Sequence, residues 1–287
     1  MSSVIINGKE IGQEIRTGVA TRVQALKEKG ITPGLAVILV GDNPASKTYV
    51  ANKQKSCEQI GMYSELVKLP EDISEQALLE KIGELNERAS IHGILVQLPL
   101  PKHINEDKVI QTISPEKDVD GFSPISVGKM MLGQDTYLPC TPYGVMKMLE
   151  HAGIDVAGKH AVIVGRSHIV GKPMGQLLLQ KDATVTYTHS KTPDLPSFTK
   201  QADILIAAVG RANFITSEHI KEGAVVIDVG INRNQDNRLC GDVDFDDVLG
   251  IASHITPVPG GVGPMTITML LENTVQAAEK ELEGQEK

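Results

Sequence analysis

The sequence has few cysteines, and their arrangement fits neither cross-linking nor zinc binding. Cys57, Cys140 and Cys240 are far apart, odd in number and without a C-x-x-C pair. A disulfide framework uses an even set of patterned cysteines, and a zinc site uses closely spaced pairs. We therefore expect no disulfide and no bound metal.

An excess of basic charge and long apolar runs are also lacking. The chain carries 28 Lys and Arg against 36 Asp and Glu, a net charge of −8. Nucleic acids and anionic membranes attract basic faces, so neither is expected as a partner. No apolar run is long enough to span a bilayer, and residues 1–30 lack the apolar core of a signal peptide. We expect a protein of the reducing cytoplasm.

What remains is the composition of an ordinary globular protein, with 41% hydrophobic and 22% charged residues. A chain of 287 residues is expected to form one large or two medium domains. Apolar runs alternate with helical periodicities, which favours an α/β fold with largely parallel sheets. In the first half we predict strands over 35–40, 66–69 and 91–98. We also predict three helices: one over 11–30, one that begins after an N-cap at Ser46, and one that begins after an N-cap at Ser74.

A second α/β domain is expected to begin near residue 140. Thr141 and Pro142 are predicted as the N-cap and first residue of a helix that runs to about His151. Helix or turn signals separate the strands that follow, as a doubly wound sheet requires. These strands are predicted over 161–164, 183–187, 203–209 and 224–229.

The stretch from Lys159 to Pro173, KHAVIVGRSHIVGKP, is the motif around which this domain is organised. A buried strand ends at Gly165 and a helix begins near Pro173, which is the opening of a dinucleotide-binding βαβ unit. The helix N-terminus offers N–H groups to a pyrophosphate. The usual G-x-G-x-x-G is absent, because Ser167 stands at the second glycine and the next glycine is Gly171. An ordinary glycine-bounded turn is the alternative.

The end of the following strand favours NADP over NAD. An NAD site usually has an acid there that binds the ribose 2′-hydroxyl. This chain reads His189-Ser190-Lys191 instead, with no acid before Asp194, and Arg166 adds a cation from the preceding turn. A hydroxyl and cations suit a 2′-phosphate.

Tyr49 and Lys53 are the first candidates for chemistry. They are four residues apart on a predicted helix, so they share one face just beyond the end of a strand. A phenol and an ammonium placed there can orient and protonate a substrate. The alternative is a solvated helix face, because Lys47 and Lys55 are close by.

Two loops have unusual compositions. Residues 115–121 are dense in acids but lack EF-hand spacing, so the loop is either a solvated turn or one that points a carboxylate into a cleft. Residues 259–264, PGGVGP, predict a rigid turn with exposed N–H groups before a helix. An interdomain hinge is the alternative for this second loop.

Over essentially its whole length the chain resembles the bifunctional methylenetetrahydrofolate dehydrogenase/methenyltetrahydrofolate cyclohydrolases. The resemblance lies in segments whose order and spacing also match. They are YVANK at 49–53, GILVQLP at 93–99, DVDGF at 118–122, GRS and IVGKP within 165–173, and PGGVGPMT at 259–266.

The resemblance implies an enzyme that oxidises 5,10-methylenetetrahydrofolate to the methenyl form with NADP and then hydrolyses it to 10-formyltetrahydrofolate. It implies that Lys53 is the catalytic acid and base, that Gln97 tunes Lys53, and that Tyr49 stacks on the folate. It also implies that Asp120 binds the pterin. The NADP contacts carried over are Gly165, Arg166, Ser167, Ser190 and Ile231, and Pro259, Gly260 and Gly261 are expected to face the substrate.

The family resemblance further implies two α/β domains with a folate cleft between them, and typically a homodimer. The folate-binding catalytic domain is predicted over 1–139 and 264–287, and the Rossmann-like NADP-binding domain over 140–263. Two alternatives stay open. One is a monofunctional NAD(P)-dependent dehydrogenase of another small molecule, and the other is a catalytically silent NADP-binding regulator.

Overall fold

The computed structural model describes residues 2–285, which form two compact units of two segments each. The three-stranded unit comprises Glu14–Leu138 and Ile267–Lys287. The six-stranded unit comprises Met1–Gln13 and Pro139–Thr266. Residues 1–13 therefore group with the six-stranded unit, whereas the sequence places them in the other domain.

The strands and helices alternate along most of the chain. The strands are β1 (Val4–Ile5), β2 (Gly34–Val40), β3 (Tyr63–Leu69), β4 (Gly93–Val96), β5 (His160–Val164), β6 (Thr184–Thr188), β7 (Ile204–Ala207), β8 (Val225–Asp228), β9 (Asn232–Arg233), β10 (Leu239–Cys240) and β11 (His254–Ile255). The helices are α1 (Gly8–Glu28), α2 (Pro44–Gln59), α3 (Glu75–Asn86), α4 (Glu106–Thr112), α5 (Pro124–Met131), α6 (Cys140–His151), α7 (Gly171–Leu179), α8 (Leu195–Thr199), α9 (Phe245–Val248) and α10 (Val262–Gln285).

The three-stranded unit has a parallel sheet in the order β3-β2-β4. Every residue of β2 and β4 is buried, as expected for strands covered on both faces. Helix α3 packs Leu78, Ile82 and Leu85 into the core on this sheet. Their spacing of four and three residues forms the apolar stripe that predicts this helix. The α/β prediction is confirmed for this unit.

Two predicted helix caps are wrong and one is confirmed. Helix α2 begins at Pro44, and the Asn43 side chain accepts hydrogen bonds from its first turn, so Ser46 lies inside the helix. Asparagine followed by proline is a strong start signal, because Pro loses nothing at the first helical position. Likewise α6 begins at Cys140 with Pro139 at the N-cap, two residues before the expected cap at Thr141. The Ser74 cap on α3 is present, at 3.2 Å from the Ala77 N–H.

The six-stranded unit contains a parallel sheet in the order β1-β11-β8-β7-β5-β6. From β5 the chain adds β6 on one side and β7 on the other, so the topology reverses between β5 and β7. In such doubly wound sheets, ligands bind beyond the carboxyl ends of the strands at this reversal. The edge strand β1 pairs with β11, Val4 opposite His254, which explains why the first residues of the chain belong to this unit.

Over residues 2–285, no helix is both long enough and apolar enough to cross a membrane. The same part of the chain holds no group of three or more His, Cys, Asp or Glu that could bind a metal ion. All three cysteines are free thiols. Cys57 is a core side chain, and its burial raises the pKa of the thiol to about 12.

Candidate active site and cofactor site

A lysine and a glutamine form the centre of the candidate site in the three-stranded unit. Lys53 Nζ donates a hydrogen bond of 3.0 Å to Gln97 Oε1. Gln97 Nε2 donates to the Leu98 carbonyl at 2.7 Å, which orients the amide so that its oxygen faces Lys53. The Gln97 backbone N–H continues the sheet by bonding to the Ile38 carbonyl. The sheet therefore fixes the position of Gln97, and Gln97 in turn fixes the position of Lys53 Nζ.

Helix α2 explains why Lys53 reaches the sheet edge. The helix buries Ser46, Val50 and Cys57, which lie on one face by their spacing of four and seven residues. Tyr49 and Lys53 border that face and are half-buried, whereas Lys55 is exposed. Lys53 is thus held at the margin of the core and differs from the solvated lysine beside it. Tyr49 lies one turn earlier on the same side.

Asp120 joins this region through the acidic loop. It is half-buried and lines a narrow cavity with Val96, Leu98 and Phe122. Val96 and Leu98 flank Gln97 in the sequence, so Asp120 lies beside the end of β4. The structure joins Lys53 to Gln97 directly, and it places Tyr49 one turn from Lys53 and Asp120 beside the sequence neighbours of Gln97, all within the three-stranded unit.

Asp118 is a carboxylate whose role the sequence did not reveal. It is 1% exposed and accepts hydrogen bonds from the Phe122 N–H, the Ser123 N–H and the Ser126 hydroxyl, at 3.2, 2.9 and 2.7 Å. Burial raises its pKa, although these donors favour its charged form. Both carboxylates line the cavity, but Asp118 is buried and bound to the loop, whereas Asp120 is only half-buried.

The turn after β5 depends on close backbone approach in the six-stranded unit. Gly165 has φ of 131°, and a Cβ on it would overlap the Ala208 carbonyl beyond β7. Its N–H donates to the Thr188 carbonyl at the end of β6, at 2.9 Å. A Cβ on Gly171 would also overlap the Gly165 carbonyl. Both glycines are therefore required, and Gly165 lies at the topological reversal of the sheet.

Ser167 caps the helix that follows this turn. Its Oγ accepts hydrogen bonds from the Val170 and Gly171 N–H groups, both at 3.2 Å. The N–H groups of Val170 and Gly171, which the helix N-terminus is expected to offer to a pyrophosphate, are therefore already hydrogen-bonded to Ser167. The hydroxyl proton of Ser167 can still donate to an anion, and the side chains of Ser167 and Arg166 are exposed.

The loop after β6 presents Ser190. The His189 N–H donates to Thr192 Oγ1 at 2.9 Å, and the Lys191 N–H donates to His189 Nδ1 at 3.2 Å. These bonds form a closed turn on either side of Ser190, which is exposed at its tip. No carboxylate occurs in this turn before Asp194, in keeping with a 2′-phosphate site.

The remaining predicted residues also lie in the six-stranded unit. Ile231 follows β8 and is 47% exposed. Gly260 has φ of 105°, and its carbonyl accepts a hydrogen bond of 3.0 Å from the Lys9 N–H. A Cβ on Gly8 would overlap the Gly261 carbonyl, so the glycine-rich segment packs tightly against the start of α1. The predicted substrate residues are thus divided, because Tyr49 and Asp120 lie in one unit and 259–261 in the other.

Comparison with known proteins gives full-length matches. Family models match for the tetrahydrofolate dehydrogenase/cyclohydrolase catalytic domain over residues 6–120 and for its NAD(P)-binding domain over residues 139–282. The bifunctional protein FolD of Lysinibacillus sphaericus is 81% identical over 282 residues, covering 98% of this chain and 99% of that protein.

Solved structures agree with these matches. The crystal structure of the bifunctional enzyme FolD from Campylobacter jejuni has a TM-score of 0.96 at 52% identity and covers 98% of this chain and 100% of its own. The Trypanosoma brucei FolD structure, complexed with NADP cofactor and an inhibitor, has a TM-score of 0.94 at 38% identity, with coverage of 98% and 99%.

Proposed function

The chain belongs to the tetrahydrofolate dehydrogenase/cyclohydrolase family, and we propose how its residues share the two reactions of this family. It is a bifunctional enzyme that oxidises 5,10-methylenetetrahydrofolate to 5,10-methenyltetrahydrofolate with NADP and hydrolyses the product to 10-formyltetrahydrofolate. Hydride leaves the methylene carbon with its electron pair, and NADP supplies the acceptor. The relatives are bifunctional, which argues against a monofunctional dehydrogenase and against a silent regulator.

Lys53 carries the proton transfers of the second reaction. In hydrolysis a water oxygen bonds to the methenyl carbon and loses a proton, and one carbon–nitrogen bond breaks as its nitrogen gains a proton. A single group that can accept and then return a proton serves both events. The observation that supports Lys53 is its fixed Nζ, which Gln97 holds at 3.0 Å at the edge of the sheet. Gln97 acts as the positioning residue for this amino group, which accepts the water proton as the neutral amine and returns it as the ammonium.

Asp120 binds the pterin, and Tyr49 covers a face of the folate. The amidine-like edge of a pterin offers two parallel N–H donors, which a carboxylate accepts well. Asp120 is half-buried, and such a paired contact is stronger at a partly buried carboxylate than in open water. Tyr49 supplies an aromatic ring one turn from Lys53, which suits stacking on a flat heterocycle.

The six-stranded unit provides the NADP contacts. Gly165 gives the close turn at the reversal of the sheet, where a Cβ would fill the space against Ala208. Arg166 and Ser190 supply an exposed cation and a hydroxyl for the 2′-phosphate. Ser167 donates its hydroxyl proton to the pyrophosphate while its oxygen caps α7. Ile231 and the segment 259–261 complete the ligand-facing surface.

The enzyme is proposed to act as a homodimer in the cytoplasm. The dimer rests on the family resemblance, and three free thiols suit a reducing compartment. Analytical ultracentrifugation of the full chain tests the first point, because a sedimentation mass near that of one chain at micromolar concentration contradicts the dimer.

One absorbance experiment tests the two reactions together. The full chain is mixed with NADP and methylenetetrahydrofolate, and both NADPH and the methenyl chromophore are followed. A second cuvette receives methenyltetrahydrofolate without NADP. NADPH formation in the first and chromophore decay in the second are expected. Production of NADPH with no decay of added methenyltetrahydrofolate above the protein-free rate would indicate a dehydrogenase alone.

A further inference from the structure

Two buried carboxylates lie at the carboxyl end of β8, whose last residue is Asp228, and they are not assigned to either reaction. Asp242 is completely buried and Asp228 is 3% exposed. Both belong to the six-stranded unit, and both are bonded mainly to backbone N–H groups. Buried carboxylates are costly to place in a core unless hydrogen bonds compensate them, so their partners indicate what they hold in place.

Asp242 connects two loops. Its Oδ2 accepts hydrogen bonds from the N–H groups of Val209 and Gly210, at 2.6 and 3.0 Å. Its Oδ1 accepts from the Arg211 N–H at 2.8 Å and from Asn232 Nδ2 at 2.9 Å. One side chain thus holds three consecutive N–H groups after β7 and a side chain of the loop after β8.

Asp228 holds Asp242 in position. It accepts hydrogen bonds from the N–H groups of Gly230, Asp242 and Val243, each at 2.9 Å. The packing is tight, because a Cβ on Gly230 would overlap Asp242 and a Cβ on Gly241 would overlap Asp228. Ile231, a proposed cofactor contact, therefore lies between two residues that these carboxylates bind.

The two loops occupy the part of the sheet where a dinucleotide binds. Residues 209–211 directly follow Ala208, whose carbonyl packs against Gly165 of the phosphate turn. The loop 230–232 follows the neighbouring strand β8 at the same carboxyl edge. Ligands of doubly wound sheets bind at this edge, and the loops there determine the shape of the site.

We propose that Asp242 is a positioning residue for the dinucleotide, which holds loops 209–211 and 230–232 in the form that binds NADP. This inference rests on the proposed cofactor site. Asp242 does not touch the reacting atoms, and it acts through the backbone that it binds. Its effect is therefore confined to the reaction that uses the cofactor.

The test compares D242N with a matched control in the full-length enzyme. Asparagine keeps the size but turns one acceptor oxygen into a donor that faces backbone N–H groups. We expect the KM for NADP to rise at least tenfold with a much smaller change in kcat, while hydrolysis of added methenyltetrahydrofolate, which uses no cofactor, stays within twofold. The control is D203N, because Asp203 bonds to the His160 N–H at the opposite, amino edge of the same sheet. It should leave both reactions unchanged.

Calorimetric titration with NADP separates this inference from the assigned reactions, because it measures binding without turnover. A weaker NADP affinity in D242N, with normal affinity in D203N, supports the inference even if the activities differ from those proposed. Unchanged NADP affinity in D242N overturns it. A parallel loss of hydrolysis also overturns it, because the effect would then be general. If D242N does not fold, N232A removes only the side-chain donor of the second loop and should weaken NADP binding about threefold, and unchanged binding there contradicts the inference.

Discussion

The ammonium of Lys53 lies 3.0 Å from the amide oxygen of Gln97, and that amide is itself oriented by the Leu98 carbonyl. The two residues come from different elements, α2 and the end of β4. A lysine on a flexible four-carbon chain is usually mobile, and fixing it costs conformational entropy. The hydrogen bond offsets that cost before any substrate arrives. Lys53 therefore begins each reaction already in place, which is a form of preorganisation.

We expect Lys53→Met to abolish hydrolysis far more completely than hydride transfer. Methionine keeps the length but carries no exchangeable proton, and acid–base catalysis contributes roughly 100-fold or more. Hydride transfer depends mainly on the orientation of the two bound rings. In single-turnover assays the variant should accumulate the methenyl chromophore together with NADPH.

Lys55→Met is the matched control for this change, because Lys55 is exposed on the same helix. It should retain both reactions. Hydrolysis of added methenyltetrahydrofolate at the unmodified rate by Lys53→Met would contradict the assignment.

Asp120→Asn should weaken both folate reactions together. The amide presents a donor to a pterin donor, which removes one of two charge-assisted hydrogen bonds and costs about tenfold or more in folate affinity. NADP binding, measured by calorimetry, should not change. Asp107→Asn serves as the control, because Asp107 is exposed on α4. Unaltered folate affinity in Asp120→Asn would rule out the pterin contact.

Arg166→Ala should reduce the preference for NADP over NAD at least tenfold, a change of about 1.4 kcal/mol. The 2′-phosphate is the only group that distinguishes the two cofactors, and Arg166 is an exposed cation in the phosphate turn. The measurement is the ratio of kcat/KM for the two cofactors. Lys159→Ala, at the amino end of β5, removes an exposed cation from the opposite edge and should not alter the ratio. Equal kcat/KM for the two cofactors in the unmodified enzyme would contradict the NADP assignment.

Asp228 should make the stability of the protein depend on pH. Burial and, to a smaller extent, the charge of Asp242 raise its pKa to about 7, although three N–H donors partly oppose this. The unfolded carboxyl titrates near about 3.9. Because the folded pKa is the higher one, the contribution of Asp228 to stability is fully present below pH about 4 and is lost as the pH rises through about 7.

Asp228→Asn stays neutral, so it should not show this loss. We expect the free energy of unfolding of the variant to improve relative to the unmodified protein between pH 4 and 8, by on the order of 4 kcal/mol. Urea unfolding across this range gives the comparison, and only the trend with pH matters, because the amide also loses an acceptor. Asp247→Asn is the control, because that carboxyl has a pKa lowered by the Ser217 N–H and so should show no such trend above pH 5. The prediction is contradicted if the difference in free energy of unfolding between Asp228→Asn and the unmodified protein stays the same from pH 4 to 8.

The buried strands could be predicted from the sequence because their signal is local. Leu35–Val40 is a continuous apolar run, and Gly165 ends another at the expected turn. Strand β1 could not be predicted in this way. It has two residues, both exposed, and it is defined by its pairing with β11, which lies far away in the sequence. That information is not local, and for this reason the sequence-based domain bounds and the compact units differ over the first residues.

The candidate site shows the same limit. The spacing of Tyr49 and Lys53 predicts a shared helix face, but it does not reveal that Gln97 holds one of them. Asp118 and Asp120 are two residues apart in one acidic loop, and only their burial shows that Asp118 is held inside the loop while Asp120 stays partly exposed. The family resemblance implies that Ser167 contacts NADP, but its hydrogen bonds to the backbone at the start of α7 depend on backbone geometry.

The pairing of β1 with β11 has a consequence for synthesis on the ribosome. Val4 is synthesised long before its partner His254, so β1 stays unpaired until the ribosome has reached β11. The last helix likewise supplies Asn273, whose side chain donates to the carbonyls of Val119 and Leu138. Each unit therefore needs both of its sequence segments before it can be completed. A tag fused directly before Val4 would therefore hinder the pairing of β1 with β11 in the six-stranded sheet. It would do so although the three-stranded unit begins only a few residues further along the chain.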